Sequence, residues 1–255
     1  MMSSELPSPA APTDQAGPSR PGWKDLVIYL LGGFGLYMVV SLLLALAFHS
    51  LTIWASFALY LANGLCLGGS VYVLGVLRRK TDWQSMGFLP VNWHWSWVLI
   101  AVILVAVFLP LRGLLGLLVE KLLGGSLASL QTRSDLILVG NQFSVLNFML
   151  TFLGVGVIAP ISEELYFRGL LHRWFIGWTK PWQRTLASSL LFGLAHFDSI
   201  PVAVSAFVMG AVNAVVYERS KTLWIPILTH MITNMIGVVL LYLVLGLKTY
   251  LNLPM

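Results

Sequence analysis

Two adjacent carboxylates in an apolar segment, two imidazoles and a carboxamide are the side chains of this sequence that call for a chemical explanation. Glu163 and Glu164 follow a run of 27 residues without a charge, Leu136 to Ser162, and Arg168 lies four positions beyond Glu164. An ionised side chain near the middle of a membrane helix costs about 2.5–3.5 kcal/mol on insertion scales, so each one retained there needs a partner or a task. On a helix, Glu164 and Arg168 share a face and can pair, whereas Glu163 points about 100° away and lacks that partner. The spacing therefore gives neighbouring carboxylates different surroundings, one tied up as an ion pair and the other suited to taking a proton from water. His196 closes the apolar stretch Phe192-Gly193-Leu194-Ala195. His230 and Asn234 lie four apart, on one helical face, in a segment with no formal charge from Thr222 to Leu247. Taken singly, each has a plainer reading, as a surface charge at a helix end or a hydrogen-bonded packing residue. Together they supply a base for water and donors for a developing negative charge, which is what peptide hydrolysis requires.

These groups can meet only if the elements carrying them hold them at one depth. His230 is nine residues from Lys221 and Glu163 ten from Arg173, so both lie about 13–15 Å from a boundary rich in basic residues at 1.5 Å per residue. His196 is twelve residues from Arg184, about 18 Å, and joins them if its helix tilts. The carrying elements read as membrane helices. The chain is 255 residues long, 58% hydrophobic and 10% charged, against about 25% charged in soluble domains. Residues 26–77 contain no formal charge; as one helix they would extend about 78 Å, twice what a crossing needs, so the run must fold back near His49. Apolar windows predict spans at about 26–48, 51–77, 96–119, 143–171, 184–198, 200–217 and 223–246. The expected fold is thus an all-α, multi-pass bundle of about seven crossings. The pair around His196-Phe197-Asp198 is short enough to be a re-entrant hairpin instead.

Residues 1–22 hold five prolines and read as a flexible Pro/Ser-rich tail. Residues 23–142 then form amino-terminal helices and loops, and residues 143–247 the segment that carries the polar motifs. Cys66, the one cysteine, sits in an apolar run and reads as a small buried hydrophobe. The net charge of +5 does not gather into a stripe with interleaved aromatics, so nucleic acid is not an expected partner. With the amino terminus cytoplasmic, eleven of the fifteen Lys and Arg residues fall on or near the inner side, which favours that orientation in the cell membrane. Trp174, Trp178 and Trp182 read as interfacial anchors.

The ordered set Glu163-Glu164-x-x-x-Arg168, Phe192-x-x-x-His196 and His230-x-x-x-Asn234 resembles the CPBP intramembrane proteases, the CAAX-protease and bacteriocin-processing group. The likeness covers about residues 145–240, and the first 140 residues add only a generic similarity. The resemblance implies a polar, water-filled cavity opening towards the cytoplasm and a glutamate-dependent endopeptidase. It implies Glu163 as the general base, His196 as the residue that orients or shares the water, and His230 and Asn234 as donors to the oxyanion. Glu164 and Arg168 would support the helix and set the local charge. No cofactor is expected; zinc held by Glu163, His196 and His230 is the alternative, although the His-Glu-x-x-His helix motif is absent. Partners would be membrane lipid and a peptide or protein substrate, in some relatives a prenylated one. Buried Glu, His and Arg also mark ion pathways, so a transporter stays open as a rival, as does a non-enzymatic immunity or scaffold protein.

Overall fold

The computed structural model describes residues 18–48, 50, 52–124, 143–197 and 199–251. Those residues form seven helices and no strand: α1 (Trp23–Ala47), α2 (Ile53–Val76), α3 (Trp95–Leu122), α4 (Val145–Ile176), α5 (Pro181–Leu194), α6 (Ile200–Ser220) and α7 (Trp224–Tyr250). All but α5 are long and apolar enough to cross a membrane. Their outer faces expose leucines and valines rather than charges, Leu42 and Leu43 on α1 and Leu99 and Val107 on α3 among them. In hydrocarbon such faces cost nothing, and helices satisfy their own backbone polar groups. The chain is thus a multi-pass helical membrane protein.

Local chemistry sets the ends. The Thr52, Ser144 and Ser199 side chains each accept a backbone N–H of the first turn of α2, α4 and α6. Lys221 closes α6 in the left-handed region, φ 56°. Of the spans expected at 184–198 and 200–217, the second is a full 21-residue helix. The first is α5, of 14 residues, about 21 Å long against the ~30 Å of a hydrocarbon core. It packs along α6, so the pair is a hairpin with one short arm.

Polar contacts gather one end of the bundle. Arg78 and Lys80, just after α2, reach Asp25 at the start of α1, at 3.1 and 3.3 Å. His172 of α4 bonds Ser188 of α5 through Nδ1, at 2.8 Å, and Glu218 of α6 through Nε2, at 2.7 Å. Arg184 of α5 pairs with the same Glu218. Trp224, opening α7, donates to the Phe88 carbonyl at 3.0 Å. Of the expected tail, only residues 18–22 are described; Ser19 N–H donates to Arg79 O and Trp174 Nε1 to Gly22 O, both at 2.8 Å. That bond belongs to a tryptophan 1% exposed, so Trp174 is packed inside the bundle and is not the interfacial anchor its position suggested. Trp178 and Trp182 remain exposed. Cys66 is buried, as a small hydrophobe would be.

The core lies where α4 crosses the bundle. Every residue from Leu165 to His172 is buried, and Tyr166, Phe167, Leu170 and Leu171 join Leu67, Val71, Phe192, Met209 and Ile227 in one cluster. Around Ala159–Glu164 the helix widens to π geometry, at Gly154–Ile158 before it and Leu165–His172 after it. Such widenings are uncommon and frequent at functional sites.

Candidate active site

Glu164 and Arg168 are both fully buried, with Nε 3.2 Å from Oε2. The pair is the centre of a network that reaches three further helices. Glu164 Oε1 accepts from Arg168 Nη1 at 3.2 Å, from Asn213 Nδ2 of α6 at 2.9 Å and from His230 Nδ1 of α7 at 3.0 Å. Arg168 Nη2 donates to the Gly210 carbonyl of α6 at 2.8 Å, and its guanidinium lies 4.6 Å over the Phe192 ring of α5. A buried pair is tolerable only when such extra bonds satisfy what the two ions leave over. Here those bonds also fix the relative positions of α4, α5, α6 and α7.

Glu163 faces elsewhere, as the 100° step demands. Its side chain keeps 12% exposure, and its Oε2 lies 3.9 Å from His230 Nε2, longer than a hydrogen bond and close enough for one water to touch both. Its Oε1 accepts from Asn63 Nδ2 of α2 at 3.4 Å. Asn63 is itself oriented by Ser162, whose hydroxyl donates to Oδ1 at 2.7 Å. The His230 ring therefore stands between the two carboxylates. Since Glu164 can only accept at Nδ1, that nitrogen carries a proton, and Nε2 is the ring atom turned towards Glu163.

His196, His230 and Asn234 line one cavity of about 500 Å³, walled otherwise by α3, α6 and α7. His196 donates Nδ1–H to the Phe192 carbonyl at 2.8 Å, and its ring lies tilted against the Phe192 ring, centroids 4.8 Å apart. In the neutral ring this makes Nε2 an acceptor. Asn234 donates to Val155 O at 3.0 Å, so its side chain and that of His230, on one face of α7, take separate partners. Glu163 is not among the lining residues, but its Oε2 lies 3.9 Å from one of them, His230. Among the described residues, no three carboxylate, imidazole or thiolate groups converge as a metal site would need.

Sequence reasoning missed Asn63, Asn213 and Arg112. Both amides sit mid-helix in apolar segments, and each holds one of the carboxylates; that mid-membrane position was the available signal. Arg112 of α3 lines the cavity and donates to Ser205 Oγ and to Met209 Sδ, both at 3.0 Å.

The protein is thus a multi-pass helical membrane protein in which one histidine is hydrogen-bonded to Glu164 and lies 3.9 Å from Glu163, on the wall of a cavity. Residues 145–236, which contain all three motifs, match the family model described as Rce1-like, type II CAAX prenyl endopeptidase. The chain is 24% identical over 226 residues to the membrane-embedded CAAX protease MroQ of Staphylococcus aureus (strain USA300), covering 83% of this chain and 86% of that one. It is 31% identical over 84 residues to a Bacillus subtilis (strain 168) protein provisionally named as the membrane peptidase YdiL, covering 33% and 34% of the two chains. It is 33% identical over 99 residues to an uncharacterised 24.3 kDa protein of Escherichia coli, covering 37% and 45%. The match thus spans less than half the length of those last two relatives. No solved structure matches the chain significantly. Over residues 145–236 the chain is thus similar to the CAAX proteases, the CPBP group that its ordered motifs resemble.

Proposed function

We propose that this protein is an intramembrane endopeptidase in which Glu163 activates water for attack on a peptide carbonyl. The observation that carries the reading is the His230 ring, held by Glu164 at Nδ1 and standing 3.9 Å from Glu163 at Nε2, on the wall of the cavity that His196 and Asn234 also line. Glu163 takes the proton of a water as its oxygen adds to the carbonyl carbon, and later returns it to the leaving amine. His196 Nε2 accepts from that water and orients it. The second amide N–H of Asn234 and, in its imidazolium form, Nε2–H of His230 stabilise the oxyanion, each such donor being worth about 2.7–4 kcal/mol in soluble precedents. No cofactor enters this scheme. Glu164 and Arg168 touch no reacting atom; they hold the His230 ring and the helix.

The substrate is a peptide or protein segment that enters from the bilayer, with or without a lipid, and the amino terminus is cytoplasmic. The test is cleavage of a fluorogenic prenylated peptide, and of its unprenylated counterpart, by purified protein in detergent. Glu163→Gln is expected to abolish cleavage while the protein stays inserted and monodisperse. Wild-type rates in that variant would end the base assignment. Loss of wild-type activity on dialysis against a strong chelator, restored by zinc, would replace the metal-free scheme. Proton or solute movement by reconstituted protein that cleaves nothing would favour a transporter.

A further inference from the structure

A second concavity lies at the end of the bundle where the chain begins, about 300 Å³ in volume, between residues 18–22, the loop after α2 and the end of α4. Its polar lining is one-sided in charge: Arg20, Lys80 and Arg173, with the hydroxyls of Ser19, Thr81 and Ser85. We propose that it is a binding site for a phosphate group, carried at this position by the headgroup of an anionic lipid.

Three observations carry this. The first is charge. Two carboxylates lie near it and neither lines it: Asp25 is already shared by Arg78 and Lys80, at 3.1 and 3.3 Å, and Asp82 Oδ1 accepts from Ser85 N–H at 2.7 Å. Arg20 and Arg173 have no ion-pair partner among the described residues. The second is an unmet donor. Arg173 gives one N–H to the Ser85 carbonyl and its guanidinium also faces the Tyr217 hydroxyl, while its Nε, buried, makes no hydrogen bond among the described residues. A buried guanidinium donor left unpaired is costly, and a phosphate oxygen is the acceptor its geometry suits best.

The third observation is position. Indoles flank the concavity: Trp174 lines it, Trp23 packs edge-on against Trp174 with centroids 4.7 Å apart, and Arg20 lies 4.4 Å over the Trp178 ring. Trp23 and Trp178 are 62% and 42% exposed, as indoles at headgroup level are. Basic pockets between membrane helices at this level take anionic headgroups. Residues 18–22 are pinned by the bonds from Ser19 N–H and to Gly22 O, so the Arg20 backbone is set before any ligand arrives. None of these residues belongs to the cavity of His196 and His230, so this site stands or falls apart from the proposed reaction.

The experiment uses the full chain in nanodiscs of phosphatidylcholine with and without phosphatidylglycerol. Lipids retained after transfer to neutral detergent are counted by native mass spectrometry, and binding of inorganic phosphate in the same detergent is measured by thermophoresis. Phosphatidylglycerol should be retained over phosphatidylcholine. Arg20→Gln should cut that preference about fivefold, the weight of one basic residue at an anionic surface. Lys248→Gln, at the far end of α7, should leave it unchanged. Arg173→Gln should act as Arg20→Gln does; if it fails to fold, Arg20→Gln alone decides, because that side chain is exposed. Phosphate binding that Arg20→Gln weakens, without lipid preference, would keep the site and give it a soluble ligand. Neither lipid preference nor phosphate binding, or an equal loss in Lys248→Gln, would overturn it.

Discussion

Glu163 and Glu164 are one residue apart and answer to different demands, and substitution should separate them. Glu164 accepts from three side chains and balances Arg168, both at 0% exposure. Glu164→Ala therefore leaves a buried guanidinium uncompensated, expected to cost about 3–5 kcal/mol; the readout is a large fall in the unfolding midpoint in detergent, or no monodisperse protein at all. Glu163→Gln, on a side chain that keeps 12% exposure, should lower the midpoint little while removing activity. Asn63 should behave as a positioning residue. Asn63→Leu removes the amide that holds Glu163 Oε1 at 3.4 Å, and kcat should fall about 10- to 100-fold with KM little changed, the cost of a misplaced reacting group. A larger loss of stability than of kcat would show that Asn63 only ties α2 to α4. The carboxylate pattern was legible because an i, i+4 pair is local. Asn63 and Asn213 were not, because a lone amide in an apolar helix reads as packing until its neighbouring helices are known.

Helices that carry the site approach too closely in places for any side chain. A Cβ on Gly154 of α4 would sit 2.4 Å from the Tyr60 ring of α2, and one on Gly33 of α1 would sit 2.3 Å from the Tyr166 ring of α4. Small residues at such crossings let membrane helices pack backbone to backbone. Gly154→Ala must push α2 from α4, the two helices that bring Asn63 and Glu163 together, so it should destabilise by about 1–3 kcal/mol and lower activity with it. Gly69, on α2 as well, meets nothing within 4 Å, and Gly69→Ala should stabilise the protein by about 0.5–1 kcal/mol through helix propensity alone, raising the midpoint. Thermal unfolding of both variants in one detergent checks the opposite signs. At this scale hydropathy located the spans, since apolar runs report length. It overstated α5, because a window of apolar residues does not reveal where a helix starts: Pro181 opens the helix and it ends at Leu194, two residues before His196. The π widenings around Ala159–Glu164 leave no mark in composition at all.

The direction of every helix follows from the contacts at one end. Asp25 with Arg78 joins α1 to α2, His172 with Glu218 joins α4 to α6, and Trp93 against Trp224 brings the start of α3 to the start of α7, centroids 6.4 Å apart. At the other end Phe148 of α4 meets Tyr242 of α7. Ten of the fifteen Lys and Arg residues lie at the first end: Arg20, Lys24, Arg78, Arg79, Lys80, Arg173, Lys180, Arg184, Arg219 and Lys221. Lys121 and Lys248 lie near the far ends of α3 and α7. Basic residues are held on the cytoplasmic side, so the first end, with the amino terminus, should face the cytoplasm and the end of α7 should not. The short α5 does not alter this, because α5 and α6 leave and return to the same end whether or not α5 crosses fully. The single cysteine makes the test clean. In a Cys66→Ser background, Tyr250→Cys should react with a membrane-impermeant maleimide on spheroplasts, and Arg219→Cys only after permeabilisation. The reverse pattern would invert the protein and put the proposed phosphate site outside; labelling of both from one side would deny that α7 crosses.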